Sequence, residues 1–293
     1  MPDRRRYVAC VLLGGFVAIV LASAARAAPI GIAAAENFYG DVARRIGGAD
    51  VAVTSILANP NADPHEFEAN AAAARAIADA AIVVFNGAGY DAWVEKLLSA
   101  SRSPSRRVIE VAALVGKKSG DNPHLWYEPS TMPALAAKLA DALSTLDPAG
   151  AADYARRLSG FRAALAPLNA RIAALRSKYA GTPVTATEPV FGYMADALGL
   201  EMRNRPFQLA VMNGTEPSAA AIAAFEKDLR TRTVRVLLYN TQTTHALAER
   251  MRAIAKEAGV PVVTITETAP QDRSYQAWML AQLEELGRAL SSR

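Results

Sequence analysis

The sequence predicts an α/β protein of two lobes, each a mainly parallel sheet flanked by helices, joined by one long interlobe helix. Three observations carry this expectation. Short β-branched runs alternate with Ala-rich segments of helical periodicity up to residue 147. Residues 148–179 then carry no strand signal at all, and past residue 181 the alternation resumes. Strand–helix alternation of this kind argues for parallel sheets covered by helices on both faces.

In order, residues 30–34 read as a strand and 38–46 as a helix closed by Gly47-Gly48. Residues 51–57 form a strand leading into a loop, 69–80 a helix, and 81–86 (AIVVFN) a buried strand ended by Gly87. A helix over 92–99, a strand over 107–111, a second loop and a helix over 131–146 complete the first half. Leu158, Phe161, Leu165, Leu168, Ile172 and Leu175 follow at alternating steps of three and four, which keeps them on one face of a helix. Pro167 should kink or break it, and Gly181-Thr182-Pro183 ends it. The second half is read as strands over 184–187, 201–203, 234–239 and 260–266, with helices over 190–198, 218–229, 246–258 and 275–290.

The first residues are expected to be a secretory leader. Arg4, Arg5 and Arg6 precede an apolar run over 9–22, and Ala25-Arg26-Ala27 fits a small-x-small cleavage pattern. The division is then a cleaved signal peptide over 1–27, an N-terminal lobe over 28–147, a linking helix over 148–180 and a C-terminal lobe over 181–293. Cys10 is the single cysteine, and a lipid-attachment cysteine would follow the apolar run, so a lipoprotein is not expected. A mature chain without cysteine excludes disulfides, thiolate ligation and cysteine nucleophiles. The leader holds Arg4, Arg5, Arg6 and Arg26 of the 32 basic residues and Asp3 of the 28 acidic ones. The rest is close to neutral, and its charge gives no argument for nucleic acid or an anionic membrane surface.

Two of the three histidines stand in matched settings, DPHEFE at 63–68 and DNPHLWYEP at 121–129. Each places a Pro-His dipeptide among acidic residues with an aromatic two positions on. Imidazole is the commonest metal ligand among side chains, and the preceding proline restricts the backbone that aims it. His65 and His124 are therefore candidate ligands. In open parallel sheets, ligands bind beyond the carboxyl ends of the strands. The matching places in the second half hold Glu188, after VTAT, and Glu267, after VVTIT. The remaining histidine, His245, opens a helix and reads as a surface residue. Phe67, Trp126, Phe191 and Tyr193 follow the candidate ligands closely and read as packing around the ligand loops, while Phe207 and Trp278 belong to the core.

Over the whole mature chain the sequence resembles the metal-binding solute-binding proteins of zinc and manganese ABC importers, the group whose lobes are joined by a rigid helix. GIAAAENFYGDVARRIGG resembles the family's opening strand and helix. DPHEFE and NPHLWYEP match the loops of its two histidine ligands, TEPVFGYMADALGL its third ligand segment, and VPVVTITET its final strand. The resemblance implies a metal site of His65, His124, Glu188 and Glu267, with Zn²⁺ or Mn²⁺ as cargo. It implies a periplasmic, monomeric receptor that is not an enzyme and delivers its metal to an ABC permease in the inner membrane, with no nucleic-acid partner. Glu188 stands where zinc importers commonly carry His, and Glu267 where the family usually has Asp. GKKSGD at 116–121 replaces the histidine-rich loop that often precedes the second motif.

Two imidazoles and two carboxylates suit Zn²⁺ as a tetrahedron. Mn²⁺ tolerates more oxygen and more coordination, while Ca²⁺ and Mg²⁺ prefer all-oxygen shells. Two other readings stay open on the residues alone. One is a receptor for a small organic solute. The other is a zinc hydrolase with His65, His124 and Glu188 as ligands and Glu267 as general base, although neither HExxH nor GxSxG is present.

Overall fold

Runs rich in Val, Ile and Ala pair in parallel, and the helices between them return the chain to the same end of each sheet. The computed structural model describes residues 28–61, 64–242 and 245–292. The expected leader, with Cys10, lies outside the described residues, as does Asp63 of the first motif. In the first lobe β1 (Ile30–Glu36), β2 (Val51–Leu57), β3 (Ile82–Phe85) and β4 (Arg107–Glu110) form one all-parallel sheet in the order β2-β1-β3-β4. Around it lie α1 (Asn37–Gly47), α2 (Ala71–Asp79), α3 (Ala92–Ala100), α4 (Val111–Leu114) and α5 (Thr131–Leu146).

Helix α1 shows how the sequence builds these pieces. Phe38, Tyr39, Val42, Ala43 and Ile46 recur at helical spacing and are all buried. Arg44 and Arg45 stand in the last turn, where cations suit the helix dipole, and Gly48 at φ 60° ends it.

The linking segment is helical through α6 (Ala151–Ala164) and α7 (Ala166–Tyr179), with Leu165 between them. Pro167, in the first turn of α7, has no N–H for a bond back to the preceding turn, which accounts for the break. The apolar stripe continues across it: Phe161, Leu165, Leu168 and Leu175 are buried, and Leu158 and Ile172 pack at its margin.

The second lobe repeats the plan. Strands β5 (Pro183–Ala186), β6 (Glu201–Arg203), β7 (Leu237–Asn240) and β8 (Val262–Ile265) form an all-parallel sheet in the order β6-β5-β7-β8. Its helices are α8 (Gly192–Ala197), α9 (Arg205–Met212), α10 (Ala219–Arg230), α11 (Ala246–Ala258) and α12 (Tyr275–Ser291). Helix α9 was not expected. Its Arg-Pro start and two turns leave too short a periodic signal, although Phe207 and Val211 anchor it in the core. His245 is not a free surface residue: its Nδ1 accepts from the backbone N–H of Leu247 and caps α11.

One hydrophobic core runs through both lobes. Phe38 packs against Trp126 and Trp278, with ring centroids 4.7 and 5.8 Å apart, and Tyr127 packs against Phe191 at 5.3 Å. Hydrogen bonds cross the same boundary. Tyr275 donates to the Trp126 carbonyl, Tyr127 to the Thr266 carbonyl, and Asn37 pairs with the backbone of Ala269 in both directions. The lobes are thus held face to face with the carboxyl ends of their strands toward one shared crevice.

Candidate metal centre

His65 lies in a single 3₁₀ turn, Pro64–Glu66, beyond the end of the edge strand β2. His124 stands before a second such turn, Leu125–Tyr127, on the connection that leaves the opposite edge strand β4. Glu267 follows β8 in the other lobe. Although 59 positions separate the histidines in sequence, His65 Nε2 and His124 Nε2 come to 3.2 and 3.3 Å from the same Glu267 oxygen, Oε2. Among the described residues these three form a group whose donor atoms all lie within 4.8 Å of one another. Ligands ~2.0–2.1 Å from one tetrahedral zinc are separated by roughly 3.3–3.4 Å. The spacing to Glu267 is that of a tetrahedron's edge.

The protonation states prepare these atoms for a cation. His124 Nδ1 is 2.6 Å from Asn122 Oδ1, and the Asn122 amide nitrogen donates to the Pro189 carbonyl at 2.8 Å. That second bond fixes which end of the amide is oxygen. Asn122 Oδ1 therefore accepts, Nδ1 carries the proton, and the Nε2 lone pair faces Glu267. His124 Nε2 is fully buried and makes no hydrogen bond, so two electron-rich atoms face each other across a gap that a metal would fill. Burial lowers the His124 pKa, against the opposing pull of Glu267, and keeps the ring neutral at neutral pH. Burial alone would raise that of Glu267, but the two imidazoles beside Oε2, with the Tyr90 and Asn240 groups that donate to the carboxylate, hold it below the usual carboxylate range and ionised. Tyr90 donates to Glu267 Oε2 at 3.0 Å, and its hydroxyl is held protonated by burial and by the charges of Glu267 and Glu36.

Glu188 is buried after β5, with one oxygen accepting from Asn240 Nδ2 at 2.5 Å. The same nitrogen donates to Glu267 Oε1 at 2.7 Å. Three of the four expected residues thus converge directly, and Glu188 joins them through one amide. Trp126 packs beside His124 and Tyr90, and Tyr193 donates to the Asn122 carbonyl, so both support the second histidine loop. Phe67 packs on Trp93 under the first.

Sequence reasoning missed Asn86, Tyr90, Asn122 and Asn240. Asn86, fully buried after β3, donates to the Pro123 carbonyl at 2.9 Å and so fixes the residue before His124. A signal for it and for Asn240 was present: the third strand of each lobe ends in an aromatic residue followed by Asn, Phe85-Asn86 and Tyr239-Asn240. Asn122 and Tyr90 carry no comparable mark.

Residues 32–289 match the family described as ZnuA, zinc-uptake complex component A, periplasmic. The zinc-binding lipoprotein AdcA of Streptococcus pneumoniae is 26% identical over 252 residues, covering 74% of this chain and 47% of its own, so this chain spans about half of that relative. Among the solved structures that share the fold, two illustrate the match. The periplasmic zinc-binding protein TroA of Treponema pallidum superposes with a TM-score of 0.77 at 17% identity, covering 90% of this chain and 100% of that one. The Mn²⁺ complex of FpvC from Pseudomonas aeruginosa gives 0.73 at 24% identity, covering 90% and 98%. A match over this length, on a fold of two such lobes, places the chain in the family of periplasmic A components of zinc-uptake complexes.

Proposed function

We propose that this protein captures a divalent transition metal, zinc or manganese, in the crevice between its lobes and delivers it to an ABC permease in the inner membrane. The observation that carries the reading is the meeting of His65 Nε2 and His124 Nε2 at one oxygen of Glu267, each at the spacing of a tetrahedron's edge, with the His124 lone pair aimed inward. In this reading His65, His124 and Glu267 bind the metal, and Glu188, tied to Glu267 through Asn240, supplies the fourth ligand. Two neutral imidazoles and two carboxylates neutralise a divalent cation, which allows its burial. The metal is cargo and undergoes no reaction.

The working divisions are the lobe 28–147, the linking helix 148–180 and the lobe 181–293. The protein acts as a periplasmic monomer, released from its leader at 1–27 without lipidation, and has no nucleic-acid partner. Among the described residues no helix is long and apolar enough to cross a membrane.

Melting curves of metal-free protein test the proposal. Zn²⁺ and Mn²⁺ should each raise the transition, Zn²⁺ at least as strongly, since the affinity order favours it at any such site. A ligand about a thousandfold above its Kd stabilises the fold by roughly 4 kcal/mol. Ca²⁺ and Mg²⁺ should give no comparable shift. Stabilisation by an amino acid or a sugar and by no transition metal overturns the reading.

A further inference from the structure

Strand β7 lies between β5 and β8 in the second sheet. The residue at its carboxyl end therefore sits between the residues that follow its two neighbours. That residue is Asn240, 1% exposed, and its amide nitrogen reaches Glu188 Oε2 on one side and Glu267 Oε1 on the other. The amide cannot turn over. Its Oδ1 accepts from the backbone N–H of Gln242 at 3.0 Å, and a turned amide would present oxygen to two carboxylates. The frame around it is also fixed. The Asn240 N–H donates to Thr187 Oγ1, and Gln242 Oε1 accepts from the backbone N–H groups of Glu267 and Thr268.

An amide nitrogen has two protons, so each carboxylate receives one. Glu267 then has Oε1 drawn toward Asn240, while Oε2, which also accepts from Tyr90, faces both histidines. A carboxylate chelates a metal only when both its oxygens face the ion. We infer that Asn240 is a specificity-determining residue: by holding one oxygen of Glu267 and one of Glu188, it limits both to single-oxygen coordination. The shell then closes at about four donors, which suits Zn²⁺, and withholds the additional oxygens that Mn²⁺ favours. The inference rests on the metal-receptor reading above and adds to it which metal the site prefers and by what device.

The test uses Asn240→Ala and Asn240→Asp, the second of which removes the donors without opening a cavity. Zinc and manganese affinities are measured by chelator competition, and the oxygen and nitrogen neighbours of each bound metal are counted by X-ray absorption. Both variants should raise the neighbour count from about four toward five or six and cut the preference for Zn²⁺ over Mn²⁺ by roughly tenfold or more. An unchanged count and ratio in a folded variant overturns the inference. So does a five- or six-coordinate zinc in the wild-type protein, whatever the variants do. Wild-type protein that binds neither metal would instead remove the receptor reading beneath it.

Discussion

Asn122 Oδ1 accepts from His124 Nδ1 at 2.6 Å while the same amide donates across the crevice to the carbonyl of Pro189. One side chain therefore sets the tautomer of a proposed ligand in the first lobe by reference to the backbone of the second. Partners of this kind are worth about 10- to 100-fold in metal affinity. Asn122→Ala should lower zinc affinity by that factor and leave the apo protein folded. Asn122→Asp retains the acceptor, loses the bond to Pro189 and should recover most of the affinity. Chelator competition on both variants decides it, and an alanine variant that binds like wild type would deny Asn122 this role.

Removing the proposed ligands should separate binding from folding. His65 is 31% exposed, so His65→Ala should abolish the metal-dependent rise in melting temperature and leave the apo transition nearly in place. His124→Ala and Glu267→Gln should abolish the rise as well. In wild type, metal binding should weaken as pH falls below roughly 6.5, because the His124 ring, whose pKa burial holds below its ordinary value, must stay neutral to bind. Metal-dependent melting in the His65→Ala protein equal to wild type would remove that residue from the site.

A core shared by Phe38, Trp126 and Trp278 leaves little freedom for one lobe to swing against the other. Metal capture should then involve loop ordering and modest tilts, without a wide closure. Small-angle scattering of apo and zinc-loaded protein should give nearly equal radii of gyration. Trp278→Ala should cost about 3–5 kcal/mol and lower the denaturation midpoint of both lobes in a single transition. Two separate transitions in the variant, or a large apo–holo difference in size, would contradict this.

Beneath the site, Asp91 accepts from the backbone N–H groups of Asn86 and Gly87 and lies beside buried Glu36. Burial pushes its carboxyl up from 3.8 to about 6, although the two backbone bonds oppose the shift. The folded state therefore holds this proton more tightly than the unfolded chain does. The associated stability is fully present below pH ~3.8 and is lost as pH rises through about 6, a change of roughly 3 kcal/mol. Measured against Asp91→Asn, which does not titrate, the wild-type apo protein should lose relative stability between pH 4 and pH 7. A constant difference between the two across that range would show that Asp91 keeps its ordinary value.

The two-lobe plan was legible because it is written in local pattern. Period-3.6 spacing delimited the helices Thr131–Leu146 and Ala246–Ala258 to the residue, and the break near Pro167 follows from a missing N–H. The Pro-His loops were legible for a different reason: rare residues in a repeated setting mark chemistry whatever the fold. Helix α9 escaped because two turns begun by Arg-Pro hold too few apolar repeats to register.

By itself the sequence determined most of the element types, helix α9 excepted, the two histidine loops and the pair of acidic residues beyond the strand ends, since each depends on near neighbours in the chain. Only the tertiary structure decided how those parts meet. It turned both histidines onto one oxygen of Glu267 and set Asn122 between His124 and the opposite lobe. It placed Glu188 one amide away, because strand order puts Asn240 between two segments that lie 52 residues before it and 27 after it. Hydrogen bonds over such separations leave no periodicity in the chain; they arise when parallel pairing brings the carboxyl ends of distant strands side by side.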